Sequence, residues 1–193
     1  NMEKSEVMKI FEETGGILHG HFQLASGRHS DTYMQCAKLF MYADKAEKLC
    51  KALAEKLAGI PVDAVASPAV GGVIMGYEMS RQLKVTNIFF ERINGEMTLR
   101  RGFSVKEGER FLVTEDVVTT GGSVREVIAL IESLGGKVAA VASIVDRSGG
   151  NESFGMPFIS LLPMEIVSYE KEECPLCASG VPVVKPGTKA LGK

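Results

Sequence analysis

The segment TEDVVTTGGS, residues 114–123, combines side chains with opposite preferences toward phosphate. Its acidic pair, Glu115 and Asp116, repels phosphate but accepts hydrogen bonds from hydroxyl groups. Its second half, residues 119–123, is a turn of hydroxyl side chains and glycines, which suits an anion. A ligand with a phosphate at one end and a vicinal diol a few ångströms away satisfies both halves, and ribose 5-phosphate is such a ligand.

The flanking residues predict a strand before this segment and a helix after it. The apolar run RFLVTED, residues 110–116, is typical of a buried strand, and apolar residues recur at helical spacing in residues 123–134. Ligands of open parallel sheets bind beyond the carboxyl ends of the strands, where a helix start offers unpaired N–H groups. The segment lacks both the Gly-Lys-Ser/Thr of the P-loop and the Gly-x-Gly-x-x-Gly of dinucleotide-binding folds.

Four further apolar runs alternate with helical segments and extend the predicted sheet to five strands. These runs are residues 62–67, 87–92, 137–146 and 157–164. Such alternation is typical of an α/β protein whose mostly parallel sheet is covered by helices on both faces. Helices are predicted at residues 3–16 and 43–59, the second with Asp44 as a cap supported by Glu47. The polar, glycine-spaced residues 93–109 predict a hairpin or a mobile loop.

The composition fits one or two globular domains and limits the choice of partners. The 193 residues carry a net charge of −2 and are 45% hydrophobic, enough to bury one core. The near-neutral charge argues against broad electrostatic binding of nucleic acid. The longest uncharged stretch, residues 64–77, is interrupted by proline and glycine and is too short to span a bilayer. We recognise no signal peptide and expect a cytoplasmic protein.

The cysteines and histidines raise the question of a metal site. Cys174 and Cys177 form a Cys-x-x-Cys pair, but a closed zinc site needs four ligands, and no second pair or nearby histidine completes this one in the sequence. The simplest interpretation is a loop turn with two free thiols, while a site shared across a dimer and a disulfide stay open. His19, His21 and His29 are expected to be ordinary polar residues of a strand or loop.

Several segments resemble a known enzyme family. FLVTEDVVTTGGS resembles the phosphoribosyl pyrophosphate (PRPP) motif of the type I phosphoribosyltransferases. Within that family, HFQLASGRHSDTYMQC is similar to the amino-terminal segment of the orotate phosphoribosyltransferases, ASPAVGGV to their pyrophosphate loop, FFER to the strand before their mobile loop, and SIVDRSGG to the strand end with their orotate-contacting arginine. The motifs follow the family's order over roughly residues 15–150.

The resemblance implies a type I phosphoribosyltransferase fold and a role for each matching residue in transferring the phosphoribosyl group from PRPP to orotate. Glu115 and Asp116 would hold the ribose hydroxyls. The 5-phosphate would lie in the turn of Thr119, Thr120, Gly121, Gly122 and Ser123. Pyrophosphate would contact Arg92 and the loop of Ala69, Val70, Gly71 and Gly72, where the family often has a cis peptide, here at Ala69–Val70. Orotate would contact Tyr33, Met34, Thr119 and Arg147, the last through its carboxylate.

The resemblance also implies the source of the catalytic charge. Asp116, Arg92, Arg100 and Arg101 are the implied catalytic residues. Positions where many members carry a lysine hold Ala25, Gly71 and Ile93 here, so the two loop arginines are the substitute cations. Mg²⁺ is the implied cofactor, held mainly by PRPP and water rather than by a protein ligand set.

The implied organisation has three parts and a partner of the same kind. Residues 1–40 would form a small hood, residues 41–165 the core, and residues 166–193 an irregular segment packing on either. A homodimer is implied, with the mobile loop reaching the neighbour's site. Two other functions stay open: a phosphoribosyltransferase for a purine or uracil, and a non-catalytic PRPP-binding regulator. Arg147 favours an acidic pyrimidine, and the first 40 residues show no DNA-binding helix pair.

Overall fold

The computed structural model describes residues 2–150 and 152–186, which form a central sheet, a separate hairpin and the helices around them. The strands in chain order are β1 (Ile17–Gln23), β2 (His29–Met34), β3 (Ala64–Pro68), β4 (Thr86–Ile93), β5 (Glu96–Leu99), β6 (Arg110–Val118), β7 (Lys137–Asp146) and β8 (Phe158–Pro163). The central sheet has six strands in the order β5-β4-β3-β6-β7-β8. All five strands predicted from apolar runs are present and run parallel.

The sixth strand comes from the polar segment that was predicted to be a hairpin or a loop. β5 pairs antiparallel with β4 across the two-residue turn Asn94-Gly95. Both turn residues have positive φ, 51° and 83°, which is the backbone that such tight hairpins require. The prediction of five strands therefore falls one short, because a short edge strand with polar residues carries little apolar signal.

The described residues include six α-helices, of which the last lies in the C-terminal segment and the others pack around the sheet. They are α1 (Lys4–Thr14), α2 (Cys36–Leu39), α3 (Ala43–Lys56), α4 (Val73–Leu83), α5 (Gly122–Ser133) and α6 (Pro175–Ala178). Helices α1 to α4 bury their apolar residues in one core on one face of the sheet, and α5 buries Val124, Val127 and Ile131 in a second core on the other. The predicted cap of α3 is wrong, since the helix begins at Ala43 after Tyr42 and no side chain caps it.

The β1–β2 hairpin and the residues after β8 form the small hood that the family resemblance implied. The C-terminal segment runs back along the hairpin: Tyr169 exchanges two backbone hydrogen bonds with His29, both 2.8 Å, and Val184 pairs with His21 and Gln23. The boundaries at residues 40 and 165 stay predictions, and residues 187–193 of the predicted C-terminal segment lie outside the described residues. Among the described helices, none combines the length and the apolar character that crossing a membrane requires.

Candidate active site

The site lies where the chain reverses its direction of travel across the sheet. After β3 the chain moves to β4 on one side, and after β6 it moves to β7 on the other, although β3 and β6 are neighbours. Loops that leave two such strands diverge and open a crevice at their carboxyl ends. The predicted pyrophosphate loop, residues 69–72, follows β3, while the predicted phosphate turn, residues 119–123, follows β6. The sheet order thus brings together two motifs that are about 50 residues apart in the sequence.

The acidic pair lies in the crevice, against the pyrophosphate loop. A Cβ atom added to Gly72 would lie 2.9 Å from the Pro68 carbonyl oxygen and 3.3 Å from Glu115 Oε1, and one added to Gly71 would lie 3.5 Å from Asp116 Oδ1. Gly72 therefore has no room for a side chain, which explains its type. The Ala69–Val70 peptide bond is cis, as the resemblance implied.

The two carboxylates are close to each other and removed from most solvent. Burial, followed by the neighbouring Asp116, raises the pKa of Glu115 to about 9, and burial also raises the pKa of Asp116. Both shifts favour retention of a proton by the pair in the ligand-free protein. A ligand that donates hydroxyl hydrogen bonds to both carboxylates would stabilise their charged forms.

The phosphate turn forms a polar cavity of about 180 Å³ at the start of α5. The first helical N–H to find a backbone acceptor is that of Arg125, which donates to Gly121 O at 2.9 Å. Earlier N–H groups of the helix have no intrahelical acceptor and face an anion with the positive end of the helix dipole. No acidic residue stands in the first turn of α5 to compete.

One side of this turn is built by residues that the sequence did not single out. Gly121 has φ 75°, and a Cβ there would lie 2.8 Å from the Phe154 ring. Arg125 stacks over the same ring at 4.8 Å, donates to Ser153 O and pairs with Glu152. The polar stretch after β7 offered no periodic signal, so only the tertiary contact with Gly121 reveals the supporting role of Phe154.

Arg147 lies at the same edge of the sheet with an unused hydrogen-bond donor. It follows β7, and its backbone N–H donates to Val118 O at 2.8 Å. Its Nε atom is buried and has no hydrogen-bond partner within the described residues. Burial lowers the pKa of Arg147, while Cys36 and Tyr33 are near enough to act on its charge. Burial, followed by Asp116, raises the pKa of the Cys36 thiol, and Arg147 lowers it, so Cys36, which the sequence did not single out, is near enough to both groups to respond to their charges.

The remaining predicted cations occupy three different situations. Arg92, at the end of β4, donates to Ser123 Oγ at 3.3 Å and pairs with Glu126, so it lies beside the phosphate turn. Arg101 is held by Glu91 through hydrogen bonds of 2.6 and 2.9 Å and stacks on the Phe89 ring. Arg100 is exposed, and its side chain makes no hydrogen bond or ion pair with the described residues.

The chain is similar to known proteins both in sequence and in fold. The phosphoribosyl transferase domain family matches residues 41–165, and the chain belongs to this family. Among curated relatives, the orotate phosphoribosyltransferase of Caldanaerobacter subterraneus subsp. tengcongensis is 55% identical over 98% of this chain and 100% of its own. That of a Thermoanaerobacter species is also 55% identical, over 97% and 99%. The crystal structure of the Aeropyrum pernix orotate phosphoribosyltransferase shares the fold, with a TM-score of 0.65 over 81% of this chain and 93% of that one at 24% identity.

Proposed function

We propose that this chain is an orotate phosphoribosyltransferase, which transfers the 5-phosphoribosyl group of PRPP to orotate and releases orotidine 5-phosphate and pyrophosphate in UMP biosynthesis. The observation that carries the proposal is the meeting of three complementary groups at one sheet edge: a phosphate turn, a carboxylate pair and an arginine with an unused donor. Two relatives at 55% identity are named orotate phosphoribosyltransferase, which supports orotate as the substrate.

Each of these groups would contact a different part of PRPP or orotate. The turn after β6 would hold the 5-phosphate, and Glu115 and Asp116 would accept hydrogen bonds from the ribose 2- and 3-hydroxyls. The backbone of residues 69–72 and the side chain of Arg92 would contact the pyrophosphate. Arg147 would pair with the orotate carboxylate through its planar fork of donors, while Tyr33, Met34 and Thr119 would line the pyrimidine.

Catalysis then rests on charge placement more than on proton transfer. As the bond between the anomeric carbon and pyrophosphate breaks, positive charge develops on the ribose ring and negative charge on the leaving group. The ionised carboxylates would stabilise the positive charge on the ribose ring, and arginine side chains would stabilise the negative charge on the leaving pyrophosphate. Orotate is already an anion, so its ring nitrogen attacks without a strong general base.

Mg²⁺ is part of the proposal as an ion carried by the substrate. The donors beside the pyrophosphate loop, the two carboxylates of Glu115 and Asp116 and nearby backbone carbonyls, are the hard oxygen type that Mg²⁺ accepts. Two carboxylates alone do not fill an octahedron, so PRPP oxygens and water would supply most ligands. When bound, the ion neutralises charge on the departing pyrophosphate.

A homodimer is proposed from the outward face of α4. Ile74 and Tyr77, one helical turn apart, are 60% and 65% exposed, and Val70 just before the helix is 87% exposed. Large apolar side chains grouped at one surface mark interaction sites, and a second copy of the chain would cover them. Because α4 follows the pyrophosphate loop directly, a partner docked there would lie near the site. A cytoplasmic location stays a prediction.

The test of the proposed reaction is product stoichiometry. The purified chain is incubated with PRPP, Mg²⁺ and orotate, and orotidine 5-phosphate and pyrophosphate are quantified together. The proposal predicts that they appear in equal amounts and that Asp116→Asn nearly abolishes both while retaining the fold. Pyrophosphate released without any nucleotide, or no turnover despite PRPP binding, would overturn it.

A further inference from the structure

Four potential metal ligands meet in the hood, away from the sheet edge that holds the active site. They are His21 of β1, His29 of β2, Cys174 and Cys177, and their ligand atoms all lie within 4.8 Å of one another. His21, His29 and Cys174 are each at most 3% exposed. The sequence interpretation that no histidine is available to the cysteine pair is therefore wrong, because the C-terminal segment folds back over the hairpin.

The spacing of the four atoms suits a tetrahedral ion. His21 Nε2 lies 3.0 Å from His29 Nδ1 and 3.4 and 3.7 Å from the sulfurs of Cys174 and Cys177, and Cys177 Sγ lies 3.3 Å from His29 Nδ1. Zinc with Zn–N bonds of about 2.0 Å and Zn–S bonds of about 2.3 Å separates neighbouring ligand atoms by about 3.3–3.8 Å. The observed separations cluster around that range.

Hydrogen bonding alone does not account for this convergence. The other ring nitrogen of His21, Nδ1, lies 2.7 Å from the Val181 carbonyl oxygen and must carry a hydrogen to donate to it. Nε2 of the neutral ring then has one lone pair, yet three atoms approach it. A metal ion uses that lone pair and one from each of the other three ligands. The carbonyl contact is also the outer interaction that orients metal-bound histidines.

We propose that His21, His29, Cys174 and Cys177 bind one structural zinc ion. Two thiolates and two imidazoles form a soft, closed ligand set of the kind that selects zinc over magnesium. The site has no position left for water, so its role is structural.

The C-terminal segment explains what the ion would hold together. Between residues 163 and 186, Cys174 is the only buried residue among those described, and Val167, Val181 and Val184 are exposed. Met164 and Ile166 pack partly buried against the core at the start of the segment, but the rest has little apolar surface to anchor it, and a small element without a core needs a cross-link. Zinc would fasten it to both strands of the hairpin, which also carries Tyr33 and Met34.

Metal content is the first test. The chain, produced without a histidine tag and dialysed extensively, should contain about one zinc ion per chain by elemental analysis. Cys174→Ser and Cys177→Ser should lose the metal, whereas the controls His19→Gln, at an exposed neighbouring histidine, and Cys50→Ala, at a cysteine outside the cluster, should keep it. Near-stoichiometric zinc retained by both cluster variants would overturn the assignment.

A second measurement does not depend on whether the variants fold. Zinc is stripped from the wild-type chain with a chelator, and Co²⁺ is titrated in. The proposal predicts the intense visible absorption of tetrahedral cobalt with thiolate ligands, saturating at about one equivalent, and a melting temperature that falls on stripping and recovers with zinc. A zinc-free wild-type protein that gives only the weak spectrum of octahedral cobalt, or a Cys174–Cys177 disulfide in place of metal, would overturn it.

Discussion

We expect the choice of base to depend most on Arg147. Its half-buried side chain makes no hydrogen bond with the described residues, so a carboxylate that reaches the guanidinium group gains a charge-assisted hydrogen bond without displacing another. Arg147→Ala should lower kcat/KM for orotate by about 10- to 100-fold, since such a bond contributes about 1.5–3 kcal/mol. The KM for PRPP should change much less.

The matched variant for this prediction is Arg147→Lys, which keeps the charge but loses the planar fork. It should recover only part of the orotate affinity. Steady-state kinetics with each substrate varied in turn provides the measurement. An equal rise in the KM values for PRPP and orotate would mean that Arg147 maintains the structure of the crevice and does not select the base.

Glu115 makes a pH-dependent contribution to stability whose sign follows from its environment. Burial raises the pKa of Glu115 from 4.5 to about 9. Between these values the folded protein binds more protons than the unfolded chain, so the free energy of unfolding falls as pH rises through this window. Glu115→Gln, which stays neutral, should flatten the decline and be more stable than wild type at pH about 9, by on the order of a few kcal/mol.

Urea unfolding of the ligand-free protein at several pH values measures this contribution. Glu55→Gln, at an exposed position of α3, serves as the control and should follow the wild-type curve. If Glu115→Gln instead loses stability across the whole window, the ionised carboxylate of Glu115 stabilises the free protein, which contradicts the prediction.

At the scale of elements, the phosphate turn depends on one glycine and not on its neighbour. Gly121 has φ 75° and abuts Phe154, whereas a Cβ at Gly122 would meet only Thr120 Oγ1 at 3.7 Å. Gly121→Ala should lower the free energy of unfolding by about 1–2 kcal/mol, the cost of left-handed backbone with a side chain, and should weaken PRPP binding. Gly122→Ala, at the first residue of α5, should leave stability near the wild-type value.

Thermal unfolding and calorimetric titration with PRPP distinguish the two variants. Equal losses for both alanines would show that the turn rearranges freely. The stacked Phe154 would then have no role in fixing it.

Elements were predicted well where a periodic pattern carried the signal. The five parallel strands follow from apolar runs that the sheet and its two cores then bury, and α3 lies within the helix predicted at residues 43–59. The cap of α3 was misjudged because Asp44 is a good cap by type, while the cap position falls two residues earlier, at Tyr42. The motifs at residues 69–72 and 114–123 were visible because each is local in sequence.

Contacts between distant segments were not predictable from the same patterns. The contact of Phe154 with Gly121, the influence of Asp116 and Arg147 on Cys36, and the meeting of His21 with Cys174 all depend on how loops fold over the sheet. The Cys-x-x-Cys pair was noticed, but its partners lie about 150 residues earlier, and nothing local shows that the C-terminal segment returns to the hairpin.

At the scale of the whole molecule, we expect each active site to be shared between two subunits. Arg101 pairs with Glu91 in its own chain, whereas the exposed side chain of Arg100 makes no hydrogen bond or ion pair with the described residues. We therefore expect Arg100 to be the loop cation that acts in the neighbour's site. A charge that arrives when the loop closes favours the transition state over the bound substrates. Arg100→Ala should therefore lower kcat at least about tenfold, and more than Arg101→Ala does.

Mixing inactive subunits tests the sharing directly. Arg100→Ala/Arg101→Ala chains are mixed with Asp116→Ala chains under conditions that exchange subunits. A shared site predicts recovered activity, because each mixed dimer has one site with both parts intact. If mixed dimers are confirmed by mass and no activity is recovered, the loop acts in the active site of its own chain.

The central claim is that one molecule joins PRPP specifically to an acidic pyrimidine. One competition assay addresses it most directly: the purified chain receives PRPP, Mg²⁺ and equimolar orotate, uracil, adenine and hypoxanthine, and the nucleotides formed are identified by mass. We expect orotidine 5-phosphate to be the dominant product, and we expect the Arg147→Ala variant to lose the preference for orotate. A dominant uracil or purine nucleotide, or PRPP binding with no nucleotide at all, would contradict it.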